Sequence, residues 1–295
     1  MKLKNFMKKK IKIFITGGSG YIGSHIINSF HKHMNIKIYN FDKRLNHEIK
    51  NKNCKNIKDN IKNLMKYKNI IKKCDYFFHL AASKKNYKSL TKPYEYFNNN
   101  IMNNLKVLEL LKENKTMRLI FFSTEEVNKI SKEYVTPYTL SKFAMEELLK
   151  TQAYLLNLKV LTIRLPTIYS FASDGCRLCR DRNLFTILKK KISKNKRIIL
   201  DNPKAYVNLL EINILIKKLK NFISKKTKSQ FILWKFISRN KMTYFEFINR
   251  LKIKIKSNSK ITITKKTKHL CKKPLILNKK IFIQNDIFNK ISSHK

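Results

Sequence analysis

Glycine is scarce in this chain. Of five glycines in 295 residues, four (Gly17, Gly18, Gly20 and Gly23) fall within one seven-residue stretch. Acidic residues are also few, 18 against 66 lysines and arginines, which leaves a formal charge of +48. Such a charge suits a polyanion, but the lysines are spread along the whole chain and no nucleic-acid reader motif accompanies them. An A/T-rich coding sequence produces the same pattern. No specific nucleic-acid partner is expected, only non-specific adhesion at low salt. Cysteine is limited to Cys54, Cys74, Cys176, Cys179 and Cys271. An odd, irregularly spaced set does not suggest a disulfide framework and favours a reducing compartment. Cys176 and Cys179 have no second pair or histidine pair at zinc-site spacing, so they read as loop thiols, with no metal expected. No apolar run approaches ~18 residues, so no membrane-spanning helix is expected. The basic segment 1–10 lacks an apolar signal-peptide core. A soluble, cytoplasmic protein is the expectation, and 43% hydrophobic residues suffice for a substantial core.

The clustered glycines follow an apolar run, Lys10 to Thr16, and precede a helical stretch, Ser24 to His31. Glycines spaced G-x-x-G-x-x-G between a strand and a helix allow a sharp turn, a close approach to a pyrophosphate and tight helix–strand packing. The helix N-terminus then faces the anion. Ile36 to Phe41 reads as the second strand, with Asp42 at its end. About 20 residues past the glycines, a carboxylate accepts the ribose hydroxyls of NAD and repels the phosphate of NADP. Strand–helix alternation continues with helix Ile61 to Lys72, a buried run Tyr76 to Ala82, helix Tyr94 to Glu113, strand Arg118 to Ser123, helix Tyr138 to Leu156 and strand Val160 to Leu165. This order predicts an α/β fold, a Rossmann-type doubly wound parallel sheet. His79, inside an apolar run, reads as core. After Ser170 the pattern weakens. Helices over Phe185–Ile192, Glu211–Phe222 and Tyr244–Lys254 and short strands over Phe231–Ile237, Ile261–Thr264 and Ile281–Gln284 suggest a smaller C-terminal α/β substrate lobe, partly interleaved with the sheet. The expected division is a basic extension (1–10), a cofactor-binding domain with the catalytic residues (11–170) and the lobe (171–295).

Tyr138 and Lys142 stand four apart at a helix start and share a face. A tyrosine is a poor base near its reference pKa of about 10. A nearby ammonium and a positive nicotinamide ring lower that value. Thr124, at a strand end, can hold the same substrate hydroxyl. Together they can take a proton from a sugar hydroxyl while hydride passes to NAD.

Several segments carry a resemblance: Ile15 to His25, Asp42, His79 to Lys84, Ser89 to Asn100, Phe122-Ser123-Thr124, Pro137 to Lys142 and Arg164 to Thr167. On these the chain resembles the extended short-chain dehydrogenases/reductases, the NAD-dependent epimerase/dehydratase family, and within it the UDP-glucose 4-epimerase branch. The resemblance implies that Gly17, Gly20, Tyr21, Ile22 and Gly23 hold the pyrophosphate and Asp42 the adenine ribose. It puts Asp59 and Asn60 by the adenine. Leu80, Ala81, Ala82, Lys84, Asn100, Ser123 and Pro166 would line the cofactor, with Tyr138 and Lys142 at its nicotinamide end. Thr124, Tyr138 and Lys142 would be catalytic, and Lys84, Thr124, Tyr138, Thr167 and Lys204 would meet the nucleotide-sugar. A homodimer is implied. The implied reaction is sugar epimerisation by hydride transfer to bound NAD and back. Glu125 and Glu126 after Thr124 keep a 4,6-dehydratase or decarboxylase of the same family open. Thr167 replaces the asparagine that commonly contacts the sugar, and Lys204 replaces an arginine, losing its bidentate fork. These changes keep open an NAD-binding protein without catalysis.

Overall fold

The computed structural model describes residues 10–30, 35–47, 49, 51–84, 86–131, 135–170, 184–200, 203–225, 227–236 and 242–264. Cys176, Cys179, Cys271 and the strand expected at Ile281–Gln284 lie outside these. The chain opens with β1 (Ile11–Thr16), α1 (Tyr21–Phe30), β2 (Ile36–Asp42) and β3 (Cys54–Lys58). A 3-10 turn (Ile61–Tyr67) runs into α2 (Lys68–Ile71), then β4 (Tyr76–His79), α3 (Asn86–Thr91) and α4 (Pro93–Phe97). A π-helical turn (Asn98–Met102) leads into α5 (Asn103–Glu113), followed by β5 (Arg118–Thr124), a 3-10 turn (Glu125–Lys129), α6 (Pro137–Leu155) and β6 (Lys159–Leu165). The later part holds β7 (Thr167–Tyr169), α7 (Leu184–Ser193), β8 (Ile198–Leu200), β9 (Tyr206–Val207), β10 (Leu209–Glu211), α8 (Ile212–Ile223), β11 (Phe231–Lys235), β12 (Met242–Thr243), α9 (Tyr244–Ile255) and β13 (Ile261–Ile263).

One seven-stranded sheet runs β11-β6-β5-β4-β1-β2-β3, and every pairing in it is parallel. Successive residues of a strand face opposite sides, so a sheet covered on both sides needs apolar residues in both registers. Ile13 and Ile15 pack with Phe78, Ile120 and Ile163 under α1 and α8. Phe14, Phe77, Leu119 and Phe121 pack the other face under α5 and α6. A smaller core joins Phe185 and Ile192 to Ile198, Ile248 and Leu251.

From β1 the chain winds outward to β3, then returns to place β4 on the other side of β1. That reversal opens a crevice at the carboxyl ends of β1 and β4, where doubly wound sheets bind ligands. Phe231–Lys235, read from sequence with the later segments, is the sheet's edge strand and pairs with β6 from Val160 to Arg164. The polar segment Cys54–Lys58 forms the opposite edge, where lysines are usual.

Candidate active site

The glycine turn occupies the crevice at the end of β1. Gly17 adopts a left-handed φ of 71°, and a Cβ there would stand 2.7 Å from the Ala81 nitrogen. Its N–H donates to the Phe41 carbonyl at 2.9 Å. A Cβ on Gly23 would stand 2.5 Å from Gly18 Cα, so this glycine is fixed by packing of α1 against the turn. At Gly20 an added Cβ would meet the Gly17 carbonyl at 3.1 Å. That approach is tighter than an ordinary side-chain contact, so backbone crowds this glycine too, and Tyr21 and Ile22 begin the helix beside it.

Asp42 ends β2 and accepts from the Ser19 and Arg44 N–H groups, both at 3.1 Å. Burial raises its pKa despite these bonds. Asp59 is committed locally, accepting from the Asn60 N–H at 2.6 Å, the Asn63 amide at 2.8 Å and the Tyr67 hydroxyl at 2.9 Å. Asn60 caps the following 3-10 turn, its side chain accepting from Lys62 N–H. Leu80, Ala81 and Ala82 leave β4 as irregular chain facing the glycine turn, and the Leu80 N–H donates to the Thr16 carbonyl at 3.0 Å. Lys84 is exposed. Asn100 is buried behind that segment. It accepts from the Ser83 N–H at 2.7 Å and donates to the Ser83 carbonyl and Ser141 hydroxyl, both at 3.0 Å. It acts as a brace between the segment and α6. Ser123 Oγ is buried without a hydrogen-bond partner among the described residues. The glycine turn at the end of the first strand, the carboxylate at the second strand's end and this unpartnered hydroxyl fit a dinucleotide.

Sequence reasoning missed the polar support under the turn. The Asn40 amide donates to Ser19 Oγ at 3.1 Å and Asn56 Oδ1 at 2.8 Å, and Ser19 Oγ also accepts from the Asn46 N–H at 3.3 Å. The available signal was an asparagine inside an apolar strand.

Thr124 closes β5, and its hydroxyl accepts from the Glu126 N–H at 3.4 Å. The same hydroxyl acts on the Tyr138 phenol, drawing its pKa down. α6 starts sharply because Pro137 holds its first turn and Thr136 caps it. Burial pushes the Tyr138 phenol up to about 12; the Thr124 hydroxyl opposes this, while Glu126 and Tyr96 add to it. The expected activation of Tyr138 by Lys142 is therefore not seen in the chain itself. Lys142 is turned inward, where its ammonium donates to the Phe122 carbonyl at 2.9 Å and lies 4.8 Å over the Phe121 ring. A buried ammonium needs an acceptor, and the strand supplies it. Burial brings Lys142 down to about 8, with Glu146 opposing. His79 is a core residue: its Nδ1 bonds the Thr16 hydroxyl at 2.7 Å, and burial keeps the ring neutral, near a pKa of about 3.

Glu125 reaches across to the later part of the chain and accepts from the Asn208 amide, which also donates to the Phe236 carbonyl at 3.0 Å. Burial pushes Glu125 up to about 7; the Asn208 bond opposes it. Glu126 pairs with Lys129 at 3.0 Å. Thr167 starts β7 just past Pro166, its N–H donating to the Asn208 carbonyl at 3.2 Å. Lys204 is exposed. Thr124 at the end of β5 thus influences Tyr138 at the start of α6, and Lys142 lies one helical turn further along. No cluster of three or more histidines, cysteines or acids able to hold a metal occurs among the described residues, and no helix among them is long and apolar enough to cross a membrane.

Comparison with known proteins agrees with this layout. The family model described as "NAD dependent epimerase/dehydratase family" matches residues 13–205. A dTDP-D-glucose 4,6-dehydratase of Dictyostelium discoideum is 32% identical over 190 residues, covering 54% of this chain and 44% of that protein. A UDP-glucose 4-epimerase of Rickettsia bellii is 24% identical over 201 residues, 65% of this chain and 56% of that protein. The chain thus spans about half the length of these curated relatives. The structure of UDP-glucuronic acid 4-epimerase from Bacillus cereus, in complex with UDP-glucuronic acid and NAD, superposes with a TM-score of 0.74 at 19% identity over 86% of each chain, showing a shared fold. With the glycine turn and the Thr124–Tyr138 pair at one sheet edge, and a family match over well over half its length, the chain belongs to the NAD-dependent epimerase/dehydratase family.

Proposed function

We propose that the protein is a nucleotide-sugar 4-epimerase, and the observation carrying this is the buried Tyr138 phenol at the start of α6, with the Thr124 hydroxyl at the end of β5 drawing its pKa down, at the edge that holds the glycine turn. When bound, NAD supplies the hydride acceptor and a positive charge beside the phenol. Tyr138 takes the proton of the sugar hydroxyl and later returns it. Thr124 fixes that hydroxyl, and Lys142 supplies the ammonium charge on the same helix face. Both glutamates are tied, Glu125 to Asn208 and Glu126 to Lys129, which leaves the hydroxyl pair as the acting groups. Residues 11–170 hold the cofactor, and the later residues, with Thr167 and Lys204, hold the nucleotide-sugar in a cytoplasmic enzyme. Exposed Tyr94 and Met102, at 82% and 59%, lie near α6 and support a homodimer through these helices.

The test is conversion of UDP-galactose to UDP-glucose followed by NMR. Tyr138→Phe abolishes it while NAD stays bound; retained turnover refutes the assignment of the base. A second reading, elimination of water, is favoured by Glu125, whose pKa of about 7 keeps it partly protonated at neutral pH, and by the dehydratase relative. It predicts a 4-keto-6-deoxy product from dTDP-glucose.

A further inference from the structure

Arg164 lies near the end of β6 and is 4% exposed, yet it has no part in the chemistry above. Its guanidinium is shared between two elements. Nε and Nη2 donate to Glu146 Oε2 at 2.9 and 2.7 Å, and Nη1 donates to Asn128 Oδ1 at 2.7 Å. Glu146 is 2% exposed and stands four residues beyond Lys142 and eight beyond Tyr138 on α6, so the three share one face. Asn128 belongs to the 3-10 turn Glu125–Lys129, which begins at Thr124. In the sheet register Arg164 lies opposite Ser123. One fork therefore connects the helix that carries the phenol and ammonium to the turn whose N–H holds the Thr124 hydroxyl.

A buried ion pair is weak evidence for stability, because desolvating both charges offsets their attraction. Its rigid geometry is a better account of this one. The planar guanidinium has fixed donor directions, so its two arms fix the distance between α6 and the turn. The geometry points to Arg164 as a positioning residue, whose bridge from Glu146 to Asn128 aligns Thr124 with Tyr138. Glu146 also opposes the loss of charge on Lys142. The consequence for turnover rests on the proposed sugar chemistry; the bridge itself does not.

Asn128 is the side to perturb, since it sits at the surface and its loss leaves the Arg164–Glu146 pair intact. Asn128→Ala removes the acceptor, and Asn128→Asp restores one. Two measurements are made on the full chain loaded with NAD: amide hydrogen exchange over residues 125–130, and kcat and KM for UDP-galactose. The expected result for Asn128→Ala is exchange accelerated about tenfold over that turn, kcat down about tenfold and KM within twofold. Asn128→Asp returns both to near the native values. Unchanged exchange in Asn128→Ala, a loss confined to KM, or failure of Asn128→Asp to restore kcat overturns the assignment. A native chain that turns over no nucleotide-sugar refutes the proposed function instead, and the exchange measurement then decides the bridge alone.

Discussion

Glu125→Gln tests the electrostatics of the site most simply, because the ordinary carboxyl value of 4.5 and the buried value of about 7 differ widely. Between these two values the folded protein binds more protons than the unfolded chain, so Glu125 makes stability fall as pH rises. Below pH 4.5 the side chain is neutral in both states and costs nothing. Above about pH 7 it is ionised in both, and the full cost is present. At 1.36 kcal/mol for each tenfold change, the difference is about 3 kcal/mol; partial exposure to solvent reduces it to about 1.5–2 kcal/mol. Glutamine cannot ionise, and its amide oxygen still accepts from Asn208. The variant is therefore more stable than the native chain by about 1.5–2 kcal/mol at pH 8, and equal to it within about 0.5 kcal/mol at pH 4.5. Urea unfolding of both proteins at the two pH values measures this. An equal stability difference at both pH values, or a variant less stable at pH 8, refutes the burial argument. The same variant divides the two chemistries, since epimerisation survives it and elimination does not.

Gly17→Ala forces an L-residue to φ 71° with its Cβ 2.7 Å from Ala81 N; it costs about 2–3 kcal/mol and weakens NAD binding, read by thermal melting with and without NAD. Lys142→Met removes a charge whose pKa burial lowers to about 8. Turnover is lost, and since the native lysine binds fewer protons folded than unfolded between about pH 8 and its ordinary value, the variant's stability relative to the native chain is greater at pH 7 than at pH 10. Despite the charge of +48, nucleic-acid binding falls with salt at the slope of simple counterion release and shows no sequence preference; retention titrations from low to physiological salt check this.

The first half of the sheet was readable because its constraints are local. A left-handed turn demands glycine, a strand end displays Asp42, and apolar runs in both registers mark buried strands. The stretch from Tyr94 to Glu113 reads as one helix from its periodicity, but it is α4, a π turn and α5. The π turn carries Asn100, whose partners Ser83 and Ser141 are remote in sequence. The helix expected over Ile61–Lys72 is mostly 3-10, with Asp59 drawing Asn63 and Tyr67 back to its start. Cys54–Lys58 escaped notice because an edge strand tolerates lysine and polar residues. The short strands Thr167–Tyr169, Ile198–Leu200 and Leu209–Glu211 have too few residues for a period to show, and they are held by pairing with distant segments. Tyr138 and Lys142 were placed correctly on one face, but the inward turn of Lys142 depends on the Phe122 carbonyl, which no spacing reveals.

The measurement closest to the central claim is spectroscopic. The purified protein, loaded with NAD, is mixed with UDP-galactose while the near-ultraviolet absorbance of reduced nicotinamide is followed and the sugar is read by NMR. The account predicts reduction of bound NAD without its release, together with the appearance of UDP-glucose. Bound NAD that stays oxidised, with neither UDP-glucose nor a 4-keto product from dTDP-glucose, would contradict it.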